Sequence, residues 1–529
     1  MRTRIFVFLS LLAGSQIWGQ IPETKADGGA PPSSVTQSPA DASVAAGQAS
    51  GVTSVVRKSD RKPSVVRVNV TNQAWDFLRP WGKHAPSSRR AVGAVLPDRR
   101  VLVTGELVAN ANYIEFEAPD GGVKIAASID AVDYEANLAI VRSEDPRFME
   151  AFEPVAFTTA SVGDTLSVWQ LENNGTLLVT NGSMTTAEVS RYPIDDSLLL
   201  VYRATAPLQF RDSSFTLPVV KGDKLVGLIM RFDNNTKSAE IVPTPVIEHF
   251  LKDAAKPHYA GFPRAGLNFS NTRDPQFRRY IKLDGGNAGG VYVTNVLKDG
   301  SAEKAGLETG DVILKIDGQS IDQDGNYLDP AYGKLALSHL VGTRHFEGDT
   351  LKFSLLRNGV PKELDVCISH RGPESYVIEP YVLDRAPKFY VLGGLVLQEL
   401  SRQFLKEWGV DWGKKAPEEF VYMDNQQGEL YKGADTRVGR KVIILSGVLP
   451  SASTIGYEEL RPMVVTRING VELANLSDLP GALAKATKGL HKIEFDGDPS
   501  AIYLDVEAVS AGDAALMQNF RIPVLKRLE

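Results

Sequence analysis

One cysteine, Cys367, stands in 529 residues, so no intrachain disulfide can form. Histidine is scarce too, at seven residues, and so few imidazoles and thiols argue against a zinc site. No CxxC, HExxH or GxxxxGK[ST] pattern occurs, which leaves metalloprotease and P-loop chemistry unsupported. Basic charge is not in excess. The 58 Lys and Arg face 64 Asp and Glu, a net charge of −6, where a general nucleic-acid binder needs a basic face. No apolar run reaches the ~20 residues of a membrane-spanning helix. No cofactor, metal, nucleic acid or membrane span is therefore expected. What remains is an ordinary globular composition, 43% hydrophobic and 23% charged, with length enough for several cores.

Arg2 and Arg4 precede a short apolar run, Ile5 to Ala13, and Gly19 supplies a small residue near a cleavage region. Residues 1–20 thus read as a cleaved secretory signal peptide, which implies a secreted or periplasmic protein. Residues 21–63, rich in Ala, Ser, Gly, Pro and Gln over Ile21 to Gly51, read as a disordered linker. Order is expected to begin near Val52 to Val65.

Residues 64–253 carry twelve short apolar runs separated by turns: Val65–Val70, Ala91–Leu96, Val101–Val108, Tyr113–Glu117, Gly122–Val132, Leu138–Val141, Thr165–Gln170, Leu177–Met184, Leu198–Ala204, Leu217–Val220, Leu225–Phe232 and Ala239–Val242. That spacing predicts an all-β barrel or sandwich. Pro245 to Leu251 follows as a closing helix, with Val246/Phe250 and Ile247/Leu251 at i,i+4 spacing.

The stretch GGVYVTNVLKDGSAEKAGLETGDVILKIDG, Gly289 to Gly318, has two strand-like runs, Val291–Val296 and Val312–Ile316. Small residues Ala302, Ala305 and Gly306 lie between them, and Asp317-Gly318 signals a hairpin. This pattern resembles a PDZ domain, placed at residues 256–372. The resemblance implies a groove that binds protein or peptide C-termini by strand addition. Phe262 to Phe269 matches its carboxylate loop: Ala265, Gly266 and Leu267 would offer amides, with Leu267 and Phe269 facing the peptide. A helix expected over Tyr332 to Val341 forms the other wall through Leu337 and Val341, with Leu340 at the same helical spacing and His339 pointing elsewhere. The segment Asp322 to Pro330 looks superficially like a calcium loop. It lacks the bidentate Glu and reads as a solvated loop. Thr350–Leu356 and Lys362–Ile368 close the domain.

A barrel followed by such a domain resembles the chymotrypsin-like protease of the Deg/HtrA family. Three motifs align: Val101 to Val108 with Thr-Asn-Ala-His-Val-Val, Asn137 to Ile140 with Asp-Leu-Ala-aliphatic, and Ser213 to Val219 with Gly-Asn-Ser-Gly-Gly-Pro-Val. The fold implied is mainly β, a chymotrypsin-like double β-barrel followed by two PDZ-like domains. Glu106 then stands for the base His, Asn137 for the orienting Asp and Phe215 for the nucleophilic Ser. Ser213, Thr216 and Leu217 replace the glycines of the oxyanion turn. Phe215 offers no nucleophile, and Glu106, with an ordinary pKa of about 4.3, is a poor base for a hydroxyl at pH 7. The barrel reads as a pseudoprotease with no catalytic residues. The alternative is an active serine endopeptidase with a rearranged site, in which Ser214 is the nucleophile and Glu106 its base. His84, in a polar loop, and His249, on the closing helix, read as solvated surface residues.

Residues 380–529 repeat the order of the first PDZ domain. Tyr390 to Leu397 reads as a carboxylate-loop strand, Ser401 to Trp408 as a helix, and Lys441–Leu449 and Met463–Ile468 as strands. Leu479, Leu483 and Ala486 mark a short helix. Ile455-Gly456-Tyr457-Glu458-Glu459 is similar to the divergent second PDZ module of plant-type Deg proteases. Trp408, Trp412 and Tyr422 pack either between subunits or over their own domain. The resemblance implies homo-oligomers built on trimers and a role as chaperone, scaffold or regulator in protein quality control.

Overall fold

β-Branched and aliphatic residues dominate the first folded stretch, and the backbone follows them into strands. In the computed structural model, Thr53–Val55 and residues 62–119, 121–209, 216–283, 289–425 and 439–529 are described. The expected signal peptide at 1–20 lies outside the described residues, as do Ser213, Ser214 and Phe215. Thr53–Val55, inside the stretch expected to be linker, is a strand paired with 178–180.

Six strands close into a first barrel: Val65–Asn72, Ser87–Val95, Val101–Val103, Leu138–Ser143, Lys124–Asp133 and Ala111–Glu117, in that order. Closure leaves no free edge. Val66, Val68, Val103, Phe116, Val141 and Phe152 fill it. Six further strands form a second ring: Thr165–Leu171, Leu177–Arg191, Leu198–Thr205, Ser238–Pro243, Lys224–Asp233 and Pro218–Lys221. The strand expected over Val101 to Val108 stops at Val103, and Gly105–Val108 is a helical turn. The Ala109 N–H closes that turn on the Gly105 carbonyl at 3.1 Å, and the Glu106 N–H is held by Asn137 rather than by a neighbouring strand.

The closing helix spans Thr244–Ala254. His249, expected on the surface, is buried between the rings of Phe262 and Phe346, with centroids 4.2 and 4.1 Å away. The helix is covered on both sides because the next domain packs on its outer face. That domain is a sheet ordered Leu267–Ser270, Val291–Val296, Val312–Ile316, Thr350–Arg357 and Val360–Cys367. The segment expected to be a solvated loop instead forms a hairpin, Asn326–Asp329 against Gly333–Ala336, with Tyr327 and Asp329 buried. Asp322 Oδ1 nucleates it by accepting from the N–H of Asp324 and Asn326 at 2.9 and 2.8 Å. The hairpin uses up the start of the expected helix, which begins only at Leu337 and runs to Gly342.

The last sheet is ordered Ala501–Asp505, Leu490–Phe495, Met463–Ile468, Ile443–Val448, Leu395–Glu399, Phe389–Leu392 and Lys526–Arg527. The single strand expected over Tyr390 to Leu397 is broken at Gly393-Gly394 into a hairpin. A Cβ at Gly394, φ +114°, would lie 2.5 Å from the Leu449 carbonyl, so only glycine fits this turn. The helix Val506–Asn519 leaves little trace in the sequence, because its apolar residues form only a weak stripe. Trp408 and Trp412 pack on a cluster containing Phe404 and Phe420, capping their own domain, whereas Tyr422 is exposed.

A loop of the first barrel enters that cluster. Phe77 is buried against it, its N–H donates to Glu407 at 3.1 Å, and its carbonyl accepts from Gln398 Nε2 at 3.0 Å. Truncating this ring removes a contact between the barrel and the last domain. Phe77→Ala is expected to cost about 3 kcal/mol, read as a lower denaturant midpoint. An unchanged midpoint would mean that the contact contributes nothing.

Candidate functional site

Two places hold the residues singled out in the sequence. In the barrel, Asn137 sits at φ +52° in the turn between Lys124–Asp133 and Leu138–Ser143, fully buried. Its Oδ1 accepts the N–H of Glu106 at 2.8 Å, and its Nδ2 has no partner among the described residues. The Glu106 carboxylate is half exposed and lies 3.7 Å from the Arg89 guanidinium. Arg89 also donates to the Glu106 carbonyl at 3.0 Å. The hydroxyls of Thr104 and Thr216, both buried, share a hydrogen bond, and Val92 N–H donates to the Thr216 carbonyl at 3.2 Å. The chain just after Phe215 therefore runs beside the segment that carries Glu106. Sequence reasoning missed this pair, although a threonine inside the apolar run Val101 to Val108 is a signal.

All seven histidines fall within the described residues. His84 is exposed, as expected, and lies 3.2 Å from Glu407, whereas His249 is stacked between two rings. His258 is exposed. His339 bonds Tyr327 at 2.6 Å, and His345 bonds the Leu340 carbonyl at 2.8 Å. His370 bonds Glu135 at 3.1 Å and His491 bonds Asn469 at 3.2 Å. None pairs with Glu106 or Asn137. Asp76, His84 and Glu407 come close enough together for an ion. Asp76 is already engaged by the backbone of Leu78 and Arg79 and by the Arg79 guanidinium, so the trio reads as a polar link between domains.

The second place is a cavity of about 860 Å³ lined by Ala265, Gly266, Leu267, Phe269, Leu337 and Val341. Gly266 adopts φ +74°, where a Cβ would press on the Gly300 backbone at 3.2 Å. The loop's carbonyls are spoken for: Ala265 O accepts from Ala302 N and Gly266 O from Leu297 N, both at 2.9 Å. Its amides are not. No group among the described residues accepts from the N–H of Ala265 or Gly266. The strand Leu267–Ser270 pairs only with Val291–Val296 among the described strands, which leaves its cavity-side edge open. Two open amides at the head of an apolar trough beside an unpaired strand edge suit a carboxylate at the end of an extended chain. Phe269 lies over Gly325 and forms part of the wall. In the last domain the equivalent edge of Leu395–Glu399 is filled by the protein's own Phe389–Leu392.

Arg264, next in line to the open amides, joins this loop to the barrel. Its guanidinium lies 2.9 Å from Glu135, 3.0 Å from Asp195 and 3.2 Å from the Tyr376 hydroxyl. Burial pushes the Glu135 pKa up, but Arg264 and His370 outweigh it and hold the carboxyl below its usual range. Burial, with the charge of Glu135 adding to it, raises Asp195. Asp133 is buried beside Glu135 and is pushed up to about 6, first by burial and then by that neighbouring charge. Sequence reasoning found the loop but not these partners, which lie 129 and 69 residues away from Arg264.

Two closed six-stranded rings followed by an open-edged groove define a chymotrypsin-like core joined to PDZ domains. Models of the PDZ domain match residues 263–368 and 378–526, so the chain carries two. It is similar to the putative protease Do-like 13 of Arabidopsis thaliana, 24% identical over 465 residues covering 87% of each chain. It is also similar to the chloroplastic protease Do-like 2 of Arabidopsis thaliana, 24% identical over 467 residues, 87% of this chain and 74% of that one. Among solved structures, the HtrA-type protease AlgW with a decapeptide is 18% identical with a TM-score of 0.44, covering 59% of this chain and 97% of that one. The two PDZ domains and the relatives named as Do-like proteases support the Deg/HtrA family for this chain. Among the described residues no helix is long and apolar enough to cross a membrane.

The raised pKa of Asp133 sets a pH dependence. The folded state favours its protonated form up to about pH 6, whereas an unfolded aspartate ionises near 3.9. Between those values the folded state binds more protons, so this group's contribution to stability falls as pH rises from about 4 to 6. Asp133→Asn stays neutral throughout and is expected to flatten that decline, read as denaturant midpoints at several pH values. An unchanged slope would overturn the assignment.

Proposed function

We propose that this chain is an exported, catalytically silent Deg/HtrA-type protein that captures the C-termini of proteins or peptides in the groove of its first PDZ domain. One observation carries the reading: the unpaired amides of Ala265 and Gly266 open onto an apolar cavity beside a free strand edge. A terminal carboxylate would take the amides, and its last side chain would pack against Leu337 and Val341. Leu267 and Phe269 border the path of the added strand. The second PDZ domain, its edge already filled, acts as a structural brace.

Silence at the barrel is supported by the side chains present. Asn137 brings no charge to hold an imidazolium, and none of the histidines lies at Glu106. Phe215, aligned with the nucleophile, has no hydroxyl. A role in protein quality control and trimer-based assembly follow from the family, and export follows from the leader-like residues 1–20.

A fluorescent peptide ending in a free Val carboxylate is expected to bind, and its C-terminal amide to bind at least about tenfold more weakly, the loss of a charge-assisted contact. Gly266→Trp should abolish binding while circular dichroism stays unchanged. Equal binding of acid and amide, or binding that survives Gly266→Trp, would contradict groove recognition.

A further inference from the structure

We propose that Arg402 and Lys406 of the second PDZ domain are positioning residues for the peptide groove of the first, because they hold the barrel turn that lines one side of it. This rests on the peptide-binding reading of that groove and adds what fixes its shape.

The first PDZ domain does not build the cavity alone. Asp196, Ser197, Leu198 and Leu199 of the barrel line it as well. They belong to the turn from Leu177–Arg191 into Leu198–Thr205 and to the start of the latter strand, and the groove helix Leu337–Gly342 packs on that strand. Leu198 is 49% exposed, so an apolar side chain of the barrel stands uncovered at the cavity.

The turn is held from two sides. Asp196 adopts φ +67°, a conformation that surrounding contacts must maintain in a residue with a side chain. Arg264 of the first PDZ domain grips the turn through the Asp195 carboxylate at 3.0 Å and through the Ser197 hydroxyl. The second PDZ domain supplies the other grip from the helix Arg402–Lys406. Arg402 Nη1 lies 3.0 Å from Asp196 Oδ2 and donates to the Asp195 carbonyl at 3.4 Å. Lys406 Nζ donates to the Ile194 carbonyl at 3.3 Å. Residues 402 and 406 share one helical face, so three successive residues of the turn are held by one surface. Arg402 is itself fixed by Asp424, with Nε 3.0 Å from Oδ2. Neither Arg402 nor Lys406 lines the cavity, so their influence on a bound peptide has to pass through the turn.

The test uses a fluorescent nonapeptide with a free terminal Val, read by anisotropy on the full chain. Arg402→Gln and Lys406→Met are each expected to weaken binding about fivefold. Arg402→Lys, which keeps a charge for Asp196, should lose less. The readout that separates positioning from a general loss of structure is the Leu198→Ala background. With that wall side chain already gone, Lys406→Met should change the affinity by less than about twofold. Circular dichroism and denaturant midpoints check that each variant is folded. Lys406→Met keeps the apolar stem and decides the matter should Arg402→Gln fail to fold. Unchanged affinity in Lys406→Met, or an equal loss with Leu198 present and absent, would overturn the proposal. If the unaltered chain binds the peptide and the variants bind it as well, only this inference falls. If the unaltered chain binds no peptide with a free terminus, the groove reading falls and takes this one with it.

Discussion

Two carboxylates, Glu135 and Asp195, are nearly excluded from water, and neither can remain charged there without a cation. Arg264 serves both. Its position is fixed in turn, because its N–H donates to the Ser369 carbonyl at 3.0 Å and its own carbonyl accepts from the Ser301 hydroxyl at 3.0 Å. The loop that begins at the next residue, Ala265, is therefore anchored to the barrel on one side and to the PDZ sheet on the other. Leaving either acid unpaired would cost more than the pairing contributes, so the geometry is strongly specified. The open amides of Ala265 and Gly266 owe their placement to that arrangement.

The rest of the molecule supports this junction. His370 bonds Glu135, and Tyr376, in the segment leading to the second PDZ domain, reaches Arg264. Beyond them, Phe77 of the barrel inserts into the last domain's core, and Arg527 near the chain end stacks between Trp75 and Phe389. Arg527 also donates to the Pro80 carbonyl at 3.1 Å. The second PDZ domain has thus given its peptide edge to its own Phe389–Leu392 and its surface to the barrel. The two PDZ domains share a sheet order and differ in use.

Much of the fold was legible because alternation and punctuation were strong. Val291–Val296 and Val312–Ile316 were read to the residue, and the runs of the two barrels were found with only their ends shifted. The errors have local causes. Gly393-Gly394 looks like a strand interior because apolar residues flank it on both sides, yet its glycines turn the chain. His249 looks like a surface residue because a helix read alone shows one buried face, whereas a second domain covers the other. The hairpin after Asp322 depends on a side-chain cap that composition alone conceals. At the site, the residues lining the groove were legible from the loop motif. The junction of Arg264 with Glu135 was not, since a single charge carries no sign of its distant partner.

We propose that this molecule grips chain ends and does not cut them. The most direct measurement is turnover of unfolded casein, with fluorophosphonate labelling of the same purified protein, from pH 4 to 9. The account predicts no labelling and no cleavage above a blank at any pH. Labelling and cleavage that both vanish in Ser214→Ala would contradict it and make the barrel an active serine endopeptidase.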